Sequence, residues 1–348
     1  MMNIEKIKLT QFSHGAGCGC KIAPHVLEEI LKTNIIAPTN SNLIVGNSTK
    51  DDAAVFDIGD GKGIISTTDF FMPIVDDAFD FGKIAAANSI SDIYAMGGKP
   101  LMAIAILGWP IKKLSVEVAQ KVIEGGRAIC AEAGIPLAGG HSIDSPEPIF
   151  GLAVTGIVDL KNLKQNNTAK AGDLLYLTKK IGVGILTTAE KRGMLKEEHI
   201  GIAAKQMMQL NHFGMHVSHL ISLNAMTDVT GFGLLGHLIE MAEGSDLTAE
   251  LNYSKVPQFP NLDFYTSQVC VPDGTFRNWS GYDPKVKGIT GESLLILSDP
   301  QTNGGLLMSV NPEAKETFEK LMIEAGLGEF ASPIGRMKLK TDKQVEII

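Results

Sequence analysis

The chain has 348 residues, more than the roughly 250 to 300 at which one hydrophobic core usually stops growing, so two domains are expected. A hydrophobic share of 44% and a charged share of 20% exclude the disordered and fibrous classes. A formal charge of -8 without a cluster of Lys and Arg excludes a nucleic-acid binder and implies that an anionic substrate comes with metal ions beside it.

Taken in chain order, Met1 to Thr10 lacks the long apolar centre of a signal peptide, which points to the cytoplasm. Gly15, Gly17 and Gly19 then alternate with small residues before Lys21, a composition unsuited to regular structure, so residues 12–23 read as a mobile loop. Pro24 suits the first turn of a helix in which Val26, Leu27, Ile30 and Leu31 follow helical spacing and are expected to pack the loop's far end. Ala53 to Asp57 and Lys62 to Thr68 predict a hairpin around Gly59-Asp60-Gly61. A helix is expected from Phe81 to Met96, stopped by Gly97-Gly98, with Ile84, Asn88 and Asp92 on one face.

Next come a strand at Pro100 to Leu107, a helix at Ser115 to Ala133 and a strand at Ile149 to Val158. The most apolar run, Leu101 to Trp109, is far shorter than the roughly 20 residues that a membrane-spanning helix needs, so no membrane partner is expected. The polar stretch Leu160 to Gly172 is the linker candidate, which divides the chain into 1–160 and 170–348. Beyond it the pattern predicts a strand at Leu174 to Thr178, helices within Ile181 to Leu223, and a Gly-rich turn at Thr230 to Gly236 opening a helix to Glu243. Strands at Glu292 to Leu297 and Leu306 to Val310, a helix at Pro312 to Ala325 and two closing strands complete an α/β fold of mixed α+β layers.

The first chemical constellation is His14-Gly-Ala-Gly-Cys18-Gly-Cys20-Lys21, two thiols, an imidazole and a cation on glycine-rich backbone. A lysine beside Cys20 favours thiolate, the form that attacks electrophiles or binds metals and chalcogens. The bland reading is a loop whose thiols are small apolar filler. Zinc is another, since Cys18, Cys20 and His14 supply three ligands, although no second pair stands at finger spacing. Cys130 and Cys270 sit in apolar patterns and read as buried packing in a reducing compartment.

The second constellation is a set of aspartates at element ends: Asp51-Asp52, Asp69, Asp92 and Asp228. Taken singly each is a turn or cap residue, but together they suit magnesium, which takes oxygen ligands and shares them with substrate phosphates. No G-x-x-x-x-G-K-[ST] occurs, so the P-loop architecture is excluded. Gly231-Phe-Gly-Leu-Leu-Gly236 fits G-x-G-x-x-G without the strand unit or the acidic residue of a dinucleotide fold. Ala138-Gly-Gly-His141-Ser142 offers bare backbone amides to phosphate or is a tight bend, and Pro300 to Gly305 divides evenly between turn and ligand roles.

On these residues the chain resembles the selenophosphate synthetase family (selenide, water dikinase) of the aminoimidazole ribonucleotide synthetase-like superfamily. The carriers are the thiol loop His14 to Lys21, Asp51 to Val55, Thr67 to Pro73, Asn88 to Gly98, Gly139 to Ser142 and Thr227 to Gly233. The resemblance spans nearly the whole chain and implies that ATP, water and selenide give selenophosphate, phosphate and AMP, the product supplying selenium for selenocysteine and modified tRNA. It implies catalytic roles for Cys18, Cys20 and Lys21, and magnesium ligation by Asp52, Asp92 and Asp228. Lys21, Thr49, Lys50, Asp51, Asp69, Asp92, Gly140, His141 and Ser142 are implied at the ATP site. Some members carry selenocysteine where Cys18 stands. The resemblance further implies a homodimer whose N-terminal domains pair into a β-barrel, and it leaves room for a selenium-delivery protein as partner.

Overall fold

The short turn Gly59-Asp60-Gly61 reverses the chain through positive φ at all three residues (92°, 53° and 70°), a conformation that glycine adopts at no steric cost. It closes the predicted hairpin, β2 (Ala54–Gly59) against β3 (Lys62–Phe71). The computed structural model describes residues 7–20, 24–32, 40–46 and 51–348; Lys21, Thr49, Lys50 and the side chain of Cys20 lie outside the described residues.

Before the hairpin come α1 (Pro24–Leu31) and β1 (Leu43–Val45); after it come α2 (Ala78–Ala95), β4 (Lys99–Trp109), α3 (Val116–Glu132), β5 (Leu137–Asp144) and β6 (Ile149–Asp159). The strands form one sheet in the order β1-β2-β3-β6-β4-β5, antiparallel except for the pair β4 and β5. β3 and β6 run in unbroken register from Lys62 opposite Asp159 to Phe71 opposite Phe150.

α2 packs on β3 and β6, and α3 packs on α2. Two glycines set that helix contact: a Cβ on Gly82 would sit 1.9 Å from the Val122 carbonyl oxygen, and one on Gly125 2.0 Å from that of Phe79. Every residue of α2 from Ile84 to Ala95 is buried, because its other side meets the second half of the chain. Asp77 caps the helix by accepting from the Asp80 amide at 2.8 Å.

The second half contains β7 (Leu174–Leu177), α4 (Val183–Lys191), α5 (Ile202–Met207), α6 (Phe213–Val217), β8 (Leu223–Asp228), α7 (Gly233–Gly244) and β9 (Leu247–Leu251). It continues with α8 (Leu262–Ser267), α9 (Asp273–Tyr282), β10 (Val286–Lys287), α10 (Gly291–Leu297), β11 (Leu306–Val310), α11 (Lys315–Glu324), β12 (Gly335–Leu339) and β13 (Val345–Ile347). Its sheet is mixed, in the order β10-β13-β9-β12-β7-β11-β8. Among the described residues no helix is long and apolar enough to cross a membrane.

Two expectations change. The apolar run Glu292 to Leu297 is helix, not strand: Thr290 and Ser293 form a reciprocal capping box, and Ser293, Ile296 and Leu297 are the buried residues. Short apolar runs are ambiguous by period, and here the cap decides. In α1, Val26, Ile30 and Leu31 are exposed, and the side chain of Leu27 lies outside the described residues. The Gly-rich segment does hold local structure over Gly17–Cys20, one 3-10 turn.

Candidate active site

Three elements bring three carboxylates together. Asp52 precedes β2, Asp92 lies in the last turn of α2, and Asp228 ends β8, the edge strand that meets β11 with Leu306 opposite Asp228. One carboxylate oxygen from each lies within 4.8 Å of the others, the one such grouping of potential metal ligands among the described residues. Asp92 and Asp228 are buried.

Hydroxyl and amide donors fix the carboxylates. Thr67 Oγ1 donates to Asp92 Oδ2, Ser91 Oγ to Asp228 Oδ2 at 2.5 Å, and Thr227 Oγ1 to Asp52 Oδ1 at 2.8 Å. Asn211 Nδ2 donates to Ser91 Oγ at 2.8 Å and so orients that hydroxyl. Asp52 Oδ2 is buried with no hydrogen-bond partner among the described residues. Burial above all, then the neighbouring carboxylates, holds Asp52 and Asp92 well above the usual carboxylate range; the Thr227 and Thr67 hydroxyls oppose the shift. Crowded all-oxygen donors with an unpartnered buried oxygen fit a hard divalent cation such as magnesium.

The thiol stands one helical turn away. Cys18 is only 1% exposed, and its Sγ donates to Asn88 Oδ1 at 3.3 Å, on the face of α2 that also carries Asp92. Asn88 Nδ2 in turn donates to Asp69 Oδ2 at 2.6 Å, so Asp69 orients the amide that receives the thiol. The turn before β11 closes the arrangement: the Asn303 amide donates to Asn88 Oδ1 at 2.7 Å, and the Cys18 amide to Thr302 Oγ1 at 3.1 Å. Buried Lys179 donates to the carbonyls of Gln209 at 2.8 Å and Asn303 at 2.9 Å; burial pushes its ammonium down to about 7, against the pull of Asp228.

The structure therefore unites Cys18, Asp52, Asp69, Asp92 and Asp228. Asp51 does not join the cluster: it accepts from the Asn166 amide at 2.8 Å and from Gln165 Nε2 at 3.3 Å. Gly140, His141 and Ser142 lie exposed on β5, the edge of the first sheet, with β6 and β4 between them and β3. His14 is exposed and contacts Glu147 Oε2 at 2.8 Å. Gly233 and Gly236 of the G-x-G-x-x-G motif are packing devices: a Cβ on Gly236 would sit 2.2 Å from the Tyr282 hydroxyl, and one on Gly233 2.9 Å from the Leu297 carbonyl. Sequence reasoning missed Thr67, Ser91, Lys179, Asn211, Thr227, Thr302 and Asn303 as site residues. The available signals were the polar turn at 300–305 and the aspartate beside Thr227, while Lys179-Lys180 resembles any solvated pair.

This fold and carboxylate site define an AIR synthase related protein: residues 50–158 match that family's N-terminal domain and residues 170–348 its C-terminal domain. Solved structures share the fold. Thiamine-monophosphate kinase from Stenotrophomonas maltophilia superposes with a TM-score of 0.64 at 17% identity, covering 88% of this chain and 91% of that one. The hydrogenase maturation protein HypE in complex with ATP superposes at 0.62 with 19% identity, over 86% and 82%. At higher resemblance the chain belongs to the selenide, water dikinase family. The selenide, water dikinase of Aeromonas hydrophila is 59% identical over 346 residues, 99% of this chain and 100% of the relative. That of Colwellia psychrerythraea is 58% identical over 342 residues, 98% and 99% of the two chains.

Proposed function

We propose that this chain consumes ATP, selenide and water, transferring one phosphoryl group to selenide and the other to water, so that selenophosphate, orthophosphate and AMP are released and selenium is supplied for selenocysteine and selenouridine in tRNA. The observation that carries the mechanism is the buried Cys18 thiol set on the same face of α2 as Asp92, one turn from the cluster with Asp52 and Asp228.

Phosphoryl transfer needs positioning and charge neutralisation more than covalent chemistry from the protein. Asp52, Asp92 and Asp228 would hold magnesium, which neutralises the triphosphate when bound. Lys21, Thr49, Lys50 and Asp51 are proposed along the nucleotide, with Lys21 as the cation that meets the transferred phosphate. Cys18 presents the acceptor, and Asn88, held by Asp69, fixes where its sulfur points. Burial of the thiol under the loop keeps water from competing during the first transfer. Cys20 assists the acceptor at the outer end of the same loop, and a selenium-delivery protein is a fitting partner there.

The proposed division is an ATP-binding and dimerisation domain at 1–160 and an α/β domain at 170–348. The exposed face of the first sheet carries Phe70, Met102 and Ile104, at 52%, 45% and 46% exposure. A second copy covering that face would form the barrel and bring Gly140, His141 and Ser142 to the partner's nucleotide.

Phosphorus NMR of ATP with and without selenide tests the reading. A selenophosphate resonance together with AMP is expected, lost in Cys18→Ser and in Lys21→Ala. A nucleotide-sensing protein of the same fold would leave ATP intact, and that outcome overturns the assignment.

A further inference from the structure

We infer that Arg277 and Thr302, both supplied by the C-terminal half, are positioning residues that latch the thiol loop in its closed place. The inference rests on the reading of Cys18 as the acceptor-bearing thiol, but its geometry stands apart from any substrate.

Arg277 Nη2, from α9, donates to the Gly19 carbonyl at 2.6 Å. One residue earlier the Cys18 amide donates to Thr302 Oγ1 at 3.1 Å. Two adjacent residues of the loop are thus held by one half of the chain, while the Gly17 amide is held by the other half through the Met72 carbonyl at 3.0 Å. The fit is close: a Cβ on Gly17 would sit 2.5 Å from Thr302 Oγ1 and 2.4 Å from Ile74 Cδ1, and Gly17 has φ of 50°. A Cβ on Gly274 would lie 3.2 Å from the Gly19 carbonyl oxygen, so α9 also meets the loop through bare backbone. Outside the loop, between it and α4 and α9, lies a cleft of about 730 Å³ that gives the loop room to swing outward.

A chain so rich in glycine has many conformations to lose on closing, so one residence needs specific contacts to hold it. Contacts made to peptide groups, as here, position Cys18 without touching its sulfur. Loss of either contact lets the loop open into the cleft, exposing Cys18 and admitting water to the transfer site.

The test is carbamidomethylation of Cys18 by iodoacetamide in the full-length protein, followed by peptide mass spectrometry. Arg277→Ala and Thr302→Val, with circular dichroism and melting unchanged, are each expected to label Cys18 at least fivefold faster than the wild type. Arg277→Lys, which keeps a donor, should fall between. Arg192→Ala removes a cation that lines the same cleft but donates to Val269 instead, and should label at the wild-type rate. If Arg277→Ala does not fold, Arg277→Gln replaces it. Selenide-independent ATP consumption, as a share of the total, should rise in the same variants. Wild-type labelling rates in folded Arg277→Ala and Thr302→Val overturn the latch, whatever the phosphorus NMR shows of the reaction.

Discussion

At the residue scale, the site is defined by how little room three carboxylates have. Each of Asp52 and Asp92 is raised by burial first and by the neighbouring carboxylates next, so the metal-free cluster keeps protons that free aspartates would have lost. Folded values above unfolded ones mean that the native state binds extra protons, and its stability falls as pH rises through that window. A divalent cation reverses the balance, because it needs the carboxylates ionised and displaces their protons on binding. Magnesium-induced stabilisation should therefore be larger at a mildly alkaline pH than at a mildly acidic one. Asp92→Asn, which keeps an oxygen to accept from Thr67, should abolish that stabilisation and leave the metal-free protein about 1 kcal/mol more stable. Melting curves with and without magnesium at the two pH values check this, and an equal shift in the variant excludes Asp92 as a ligand. Asp52, Asp92 and Asp228 were legible because aspartates at element ends recur in the sequence. Thr67, Ser91 and Asn211 were not, since a hydroxyl that orients a carboxylate across 25 or 137 residues, or an amide that orients such a hydroxyl across 120, leaves no local pattern.

At the scale of elements, α2 does most of the assembly. Its period was readable, as was the face shared by Asn88 and Asp92, and the hairpin before it was marked by its glycine turn. What period alone does not reveal is that the helix is buried on both sides, with α3 pressed against it through Gly82 and Gly125. Gly82→Ala places a methyl group 1.9 Å from the Val122 carbonyl oxygen, and backbone cannot yield as a flexible side chain does. Overpacking of this kind destabilises by about 1–3 kcal/mol, which for a large domain is roughly 3–10 °C in Tm. Because the displaced helix carries Asn88 and Asp92, turnover should fall along with Tm. Gly281→Ala, in α9 with nothing within 4 Å of the added Cβ, should leave both unchanged. Calorimetry and steady-state assays on the pair decide it; an unaltered Tm in Gly82→Ala removes the glycine contact as the determinant of helix position. The misread segment Glu292 to Leu297 teaches the same lesson, since its cap and not its hydrophobicity selects the helix.

At the scale of the whole molecule, the first sheet is asymmetric. One face is covered by α2 and α3, and the other presents Phe56, Ile58, Phe70, Met102 and Ile104 to solvent, with exposed Ile143 on the edge strand β5. Alternation along β3 shows why: Ile65, Thr67 and Asp69 turn toward α2, and Phe70 between Asp69 and Phe71 must point away. Composition could not disclose that face, because the same hydrophobic share serves a buried core or an interface, and only the family resemblance anticipated pairing. A patch of this chemistry beside a sheet edge unpaired among the described residues calls for a partner, and a second copy offers the same surface in two-fold symmetry. Sedimentation should accordingly find a dimer. Ile104→Glu puts a charge from each protomer into the covered face and should weaken association at least tenfold, about 1.4 kcal/mol. On the proposed reading, in which Gly140, His141 and Ser142 would serve the partner's nucleotide, selenide-dependent turnover should then rise with protein concentration in the variant. A variant that sediments as monomer yet keeps full turnover per chain, independent of concentration, would show that each chain holds a complete site.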